Sequence, residues 1–150
     1  MTGTNTQPSR WAPYALSALR IFVALTFVQH GTHKYFDFPP GPSFEGIDLT
    51  TMHGWAGTIE LFTGTLILLG LFTRPAAFLA SGEMAVAYWT VHAPQSFFPA
   101  VNAGESAYLF CFAFLFIVFA GPGPVSLDRW LETRGAGAGA RAQSADHGSG

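Results

Sequence analysis

Residues 104–120 read GESAYLFCFAFLFIVFA. Within them Phe110, Phe112, Phe114 and Phe116 alternate with Cys111, Ala113 and Leu115, a two-residue period that resembles a strand. A half-buried strand alternates apolar with polar side chains, however, and here both sets are apolar. An open strand in lipid would also leave its backbone groups unpaired, whereas a helix satisfies its own. The stretch therefore predicts a helix with phenylalanine on most faces, largely exposed to lipid.

Working outward, three more apolar blocks of similar length precede it. A hydrocarbon core about 30 Å thick needs ~20 apolar helical residues, and spans are expected over 13–35, 51–72, 75–92 and 104–120. The third is the least apolar, because Glu83 sits near its centre. The fold class expected is all-α: a transmembrane four-helix bundle, preceded by a short cytoplasmic segment (1–12) and followed by an unstructured Gly/Ala/Ser tail (131–150). Arg10 followed by an apolar run imitates a signal peptide, but no A-x-A cleavage site follows, so the first span is read as retained.

Charge agrees with this reading. Only 11% of the residues are charged, against roughly 25% for a soluble domain. No basic patch exists, which excludes a soluble nucleic-acid binder, and a water-soluble enzyme is a poor fit. The net charge of -2 is too small to steer a partner. Cys111 is the single cysteine, so an intrachain disulfide, a CxxC pair and a haem-attachment motif are all impossible. It is expected to be a small packing residue.

Loop lysines and arginines set the orientation. Arg10, Arg74, Arg129, Arg134 and Arg141 fall on one side, and only Lys34 on the other, which places both termini in the cytoplasm. Trp11, Tyr14 and Trp130 then belong to the inner interface, and Tyr35, Trp55, Tyr88 and Trp89 to the outer one.

Ionisable residues inside a span cost roughly 2.5–3.5 kcal/mol each on insertion scales, so each needs a reason. At ~1.5 Å rise per residue, Arg20, Glu83 and Glu60 all come out about 10–13 Å deep. This suggests one pair between Arg20 and Glu83 or Glu60, and a second between Lys34 and Glu105 at the outer edge. His53, Gly57, Glu60 and Gly64 share a face of the second helix, and Ala77, Ser81 and Ala85 form a small-residue stripe on the third. Together they describe a narrow, partly polar cleft opening outward, with His30, His33, His53 and His92 at the helix ends. His30, His33 and His53 could hold a divalent ion, but no HExxH or Glu-x-x-His motif is present and no metal site is assigned.

The ordered set Arg20, Gly31-x-x-Lys34, Glu60-x-x-x-Gly64, Leu69-Gly70-Leu71-Phe72-Thr73-Arg74 with Ala77, Gly104-Glu105, and Gly121-Pro122-Gly123 with Ser126-Leu127-Asp128 resembles the DoxX family of small four-helix membrane proteins. The resemblance covers about residues 14–130. It implies association with quinol- or quinone-dependent membrane oxidoreductases, and it carries over Arg20, Lys34, Glu60, Arg74 and Glu105. His30, His33, His53 and Glu83 are outside the common pattern.

The expected function is therefore that of a bacterial-type inner-membrane protein serving an oxidoreductase system, whose cleft contacts quinone or quinol. Glu60 and His30 are the candidates for proton exchange. Arg20, Lys34, His53, Glu83 and Glu105 are the candidates for substrate binding. No intrinsic cofactor is expected, since no haem, flavin or iron–sulfur motif occurs, and quinone is the one cofactor implied. Expected partners are membrane lipid, oxidoreductase proteins and a second copy of the chain, with no nucleic acid. The alternatives are a small permease or channel, and a non-catalytic assembly or scaffold subunit.

Overall fold

Pro13 lies in the first turn of α1 (Ala12–Phe36), where its missing N–H costs no hydrogen bond. The fold is seen in a computed structural model that describes residues 9–41 and 47–135. Asp37 closes α1 in the left-handed region, its N–H donating to the His33 carbonyl at 3.0 Å. Thr51 caps α2 (Met52–Leu69), its Oγ1 accepting from the Gly54 N–H at 3.1 Å. Gly70, at φ 69°, ends that helix in a conformation that costs glycine little. The turn into α3 (Thr73–Ala87) is immediate, and α3 runs on as one π-helical turn, Tyr88–His92. After a loop comes α4 (Glu105–Ala120), then a helical stretch over 127–135.

All described secondary structure is helical. The strand-like alternation in residues 104–120 thus resolves as a helix, as the all-apolar pattern required. Its phenylalanines divide: Phe112, Phe116 and Phe119 are exposed, while Phe114 is fully buried. The helical stretch over 127–135 takes in the first residues of the expected tail, and 136–150 lies outside the described residues, as do 1–8 and 42–46.

Helices α1 and α2 pack antiparallel at close range, with Gly31 against the Leu61 backbone and Gly64 against Val28. A Cβ at position 31 would come within 2.8 Å of the Leu61 nitrogen. Small residues on α3, Ala76, Ala77, Ala80 and Ser81, let it approach its neighbours in the same way. Ser81 donates to the Cys111 carbonyl of α4 at 2.8 Å. The core is completed by Ala24, Phe27, Ile67, Phe114 and Ile117. Contacts between α1 and α4 are far sparser than those of α1 with α2 or α3 with α4.

Large apolar side chains also cover the outside, including Phe22, Phe62, Phe78, Leu109 and Phe119. Among the described residues, α1 is the one helix long and apolar enough to cross a membrane unaided, and α4 is an apolar but shorter helix. Tyr88, expected near the outer interface, is buried within the protein: it continues the face of Ala77, Ser81 and Met84, and its hydroxyl donates to the Phe97 carbonyl at 2.8 Å.

Candidate functional site

Arg20 is fully buried and points to the end of the molecule where α2 and α4 finish. Its guanidinium donates to the carbonyls of Pro122 (2.9 Å), Leu68 (2.8 Å), Ile67 and Val125. Two of these acceptors, Ile67 and Leu68, are last-turn carbonyls of α2, where the regular i→i−4 ladder runs out; the Ile67 carbonyl also accepts from the Gly70 N–H at 3.1 Å. The expected pairing of Arg20 with Glu83 or Glu60 does not form. Arg20 lies level with Gly70, and ten residues of α2 separate that level from Glu60, about 15 Å at helical rise. Arg20 is therefore a structural clamp and not part of the cleft. Arg74 acts similarly for α4, donating to the Val118 and Phe119 carbonyls at 2.7 and 3.1 Å.

Lys34 pairs with Glu60. Its Nζ lies 2.7 Å from both carboxylate oxygens, and little of either side chain reaches the surface. The expected Lys34–Glu105 pair is replaced by this one, because the antiparallel register carries the C-terminal part of α1 along α2 at Gly57 and Glu60. Glu105 is exposed in the first turn of α4, where a carboxylate complements the helix dipole.

Glu83 has a different situation. Both carboxylate oxygens are shielded from solvent, and neither finds a hydrogen-bond partner among the described residues. It is near enough to Glu60 and Lys34 to feel both charges. A buried polar group left in this way is rare and calls for an explanation.

These groups open onto one mostly apolar cavity of about 990 Å³. His30, Lys34, His53, Glu60 and Glu83 all line it, so five of the seven candidate residues come together, and Arg20 and Glu105 do not. His30 stands edge-on to Phe110, ring centroids 5.6 Å apart. His33 faces away from the cavity toward Asp37 and the Pro39 carbonyl. No group of three His, Cys, Asp or Glu side chains among the described residues is arranged to hold a metal ion.

The sequence profile of the DoxX family matches residues 15–93. The chain belongs to the DoxX family. The match stops short of α4, so the motifs of residues 104–128 extend beyond it. A relative from Haemophilus influenzae, described as an uncharacterised protein, is 42% identical over 79% of this chain and 92% of its own length. A second, an uncharacterised membrane protein of Mycobacterium tuberculosis, is 32% identical over 86% of this chain and 88% of its own. No solved structure matches this DoxX chain.

Sequence reasoning noticed His92 but did not place it at the site. It lines the cavity, with its Nδ1 3.0 Å from the Asn102 carbonyl. Nine α-helical residues make about two and a half turns, which would set His92 on the face opposite Glu83. The wider π turn takes up an extra residue and rotates His92 toward the Glu83 side. Asp128 was seen only as part of a motif. It accepts from the Phe72 and Thr73 N–H groups at 2.8 and 3.0 Å, and so caps α3 from the far end of the chain.

Proposed function

We propose that this DoxX protein is an integral membrane four-helix bundle with both termini in the cytoplasm. Its cavity receives a quinone or quinol on behalf of an oxidoreductase system of a bacterial-type inner membrane. The apolar outer surface supports embedding, since a soluble monomer rarely exposes so much contiguous apolar area. The description of the Mycobacterium tuberculosis relative as a membrane protein supports it too. Helix α3 and its π turn together supply 15 and 5 residues, the length a span requires. Arg10, Arg74, Arg129 and Arg134 favour the cytoplasm for the end that also holds both termini of the described chain.

The observation that carries the ligand reading is Glu83, an unpartnered carboxylate in an apolar cavity beside a closed Lys34–Glu60 pair. A quinone is an apolar ring with polar oxygens, and such a cavity offers it apolar walls with a few convergent polar groups. With both Glu60 oxygens held by Lys34, Glu83 is the carboxylate left to exchange a proton with the ligand, together with His30. The electrons of the quinone/quinol couple pass to a partner protein, and the chain itself binds, orients and shields.

The test is gentle purification into nanodiscs, mass spectrometry of bound lipophilic molecules, and quinone titration read by tryptophan fluorescence, Trp55 lining the cavity. Bound quinone and a Glu83→Gln affinity loss of about tenfold, or ~1.4 kcal/mol, are expected. Absence of bound quinone, with no saturable titration, would remove this reading. Solute flux in proteoliposomes that disappears in Glu60→Gln would favour a permease instead.

A further inference from the structure

The main cavity shares a wall with a second one of about 390 Å³, lying between α1 and α4. His30, Ser106 and Phe110 line both. The rest of the second cavity is Phe22, Val23, Thr26, Leu109 and Ala113, with no ionisable group beyond His30. Toward the core, the α1–α4 seam is closed by ring packing, Phe27 standing 4.7 Å from Phe114 and 5.4 Å from Phe110. Further along the same seam His30 stands edge-on to Phe110, and these two rings line both cavities together with Ser106. Phe22 and Leu109, on the far side, are exposed on the outer surface.

We infer that the ligand of this site is an amphipath with one long apolar chain, its head in the main cavity and its chain leaving past His30 and Phe110 along the α1–α4 groove. The inference rests on the main cavity as the site of the head. The carboxylates and the lysine lie only in the main cavity, at Lys34, Glu60 and Glu83, whereas the groove is mostly apolar, with Thr26, Ser106 and His30 as its polar side chains. A chain already dissolved in lipid can keep its apolar surroundings while the head enters sideways through such a groove. An entry from the aqueous end would expose the same chain to water, at ~0.8 kcal/mol per methylene. The α1–α4 seam is packed more sparsely than those of α1 with α2, α2 with α3 and α3 with α4, so a chain there disrupts less packing than at any of those three.

The test uses the full chain in nanodiscs with a benzoquinone bearing a ten-carbon chain that ends in a diazirine. A phospholipid with a diazirine at the same depth is the control. Crosslinks from the quinone probe are expected on Phe22, Thr26, Leu109 and Ala113, several-fold above the control. Ala113→Trp fills the groove without touching the main cavity. It should weaken the decyl probe at least tenfold and leave the methyl analogue within twofold. Should Ala113→Trp fold poorly, Thr26→Trp obstructs the same groove from α1. Labelling no different from that of the phospholipid, or equal effects on long and short analogues, would overturn the inference while leaving the quinone reading intact. If neither quinone binds but a diazirine-tipped decyl alcohol labels the groove, the quinone reading fails and the chain site stands. If that alcohol also labels no more than the phospholipid, both are overturned.

Discussion

At the residue scale, Arg20, Lys34, Glu60 and Glu83 divide into a clamp, a closed pair and a carboxylate with no hydrogen-bond partner among the described residues. Lys34 and Glu60 neutralise each other away from water, and removing one member strands the other. Lys34→Met is expected to cost about 3–5 kcal/mol, while Lys34→Met with Glu60→Leu recovers most of that loss. Equilibrium unfolding in mixed micelles checks both, and equal losses in the single and double variants would contradict the pairing. Arg20 offers a contrast, because its partners are neutral carbonyls held in the geometry of a planar fork. Arg20→Met leaves several of them unsatisfied and should destabilise by ~3 kcal/mol or more. Arg20→Lys should restore little, since an ammonium cannot reproduce the fork. Quinone affinity of the folded fraction should stay within twofold in both variants, measured by the same fluorescence titration.

At the element scale, the helices themselves were legible. The expected spans 13–35 and 104–120 correspond to α1 (Ala12–Phe36) and α4 (Glu105–Ala120), and the caps at Thr51 and Gly70 bound α2 by local chemistry. Helical periodicity also put His53, Gly57, Glu60 and Gly64 on one face, of which the last three are buried and His53 is exposed. The π turn was not legible, since nothing in Tyr88–His92 distinguishes a π turn from an α turn. Its consequence was that His92, expected among the helix-end histidines of the cleft, was not named a candidate site residue although it lines the cavity. The cap on α3 was equally hidden, because Phe72 precedes the helix with no side-chain acceptor and the cap arrives from Asp128. Asp128→Ala should cost about 1–2 kcal/mol. It should also speed hydrogen exchange at the Phe72 and Thr73 amides more than at those of α1. Uniform acceleration along the chain would argue for general loosening instead of a lost cap.

At the scale of the whole molecule, the proposed orientation makes a direct prediction. In a Cys111→Ser background, Thr50→Cys should react with an impermeant maleimide added to intact cells, and Ser9→Cys only after permeabilisation. The reverse pattern would invert the topology and place the mouth of the cavity in the cytoplasm. The scarcity of charge and the spacing of apolar blocks are properties of local sequence, so the sequence by itself determined the four long helices and the residues out of place in a span, but not the helical stretch over 127–135. Which of those residues meet was decided only by tertiary structure. Lys34 could have faced Glu105, and Arg20 could have faced Glu60, for all that composition and depth reveal. The choice lies in the rotation and axial register of one helix against another. Those depend on close approaches such as Gly31 on Leu61, between residues far apart in the chain, and a 3.6-residue period carries no record of them.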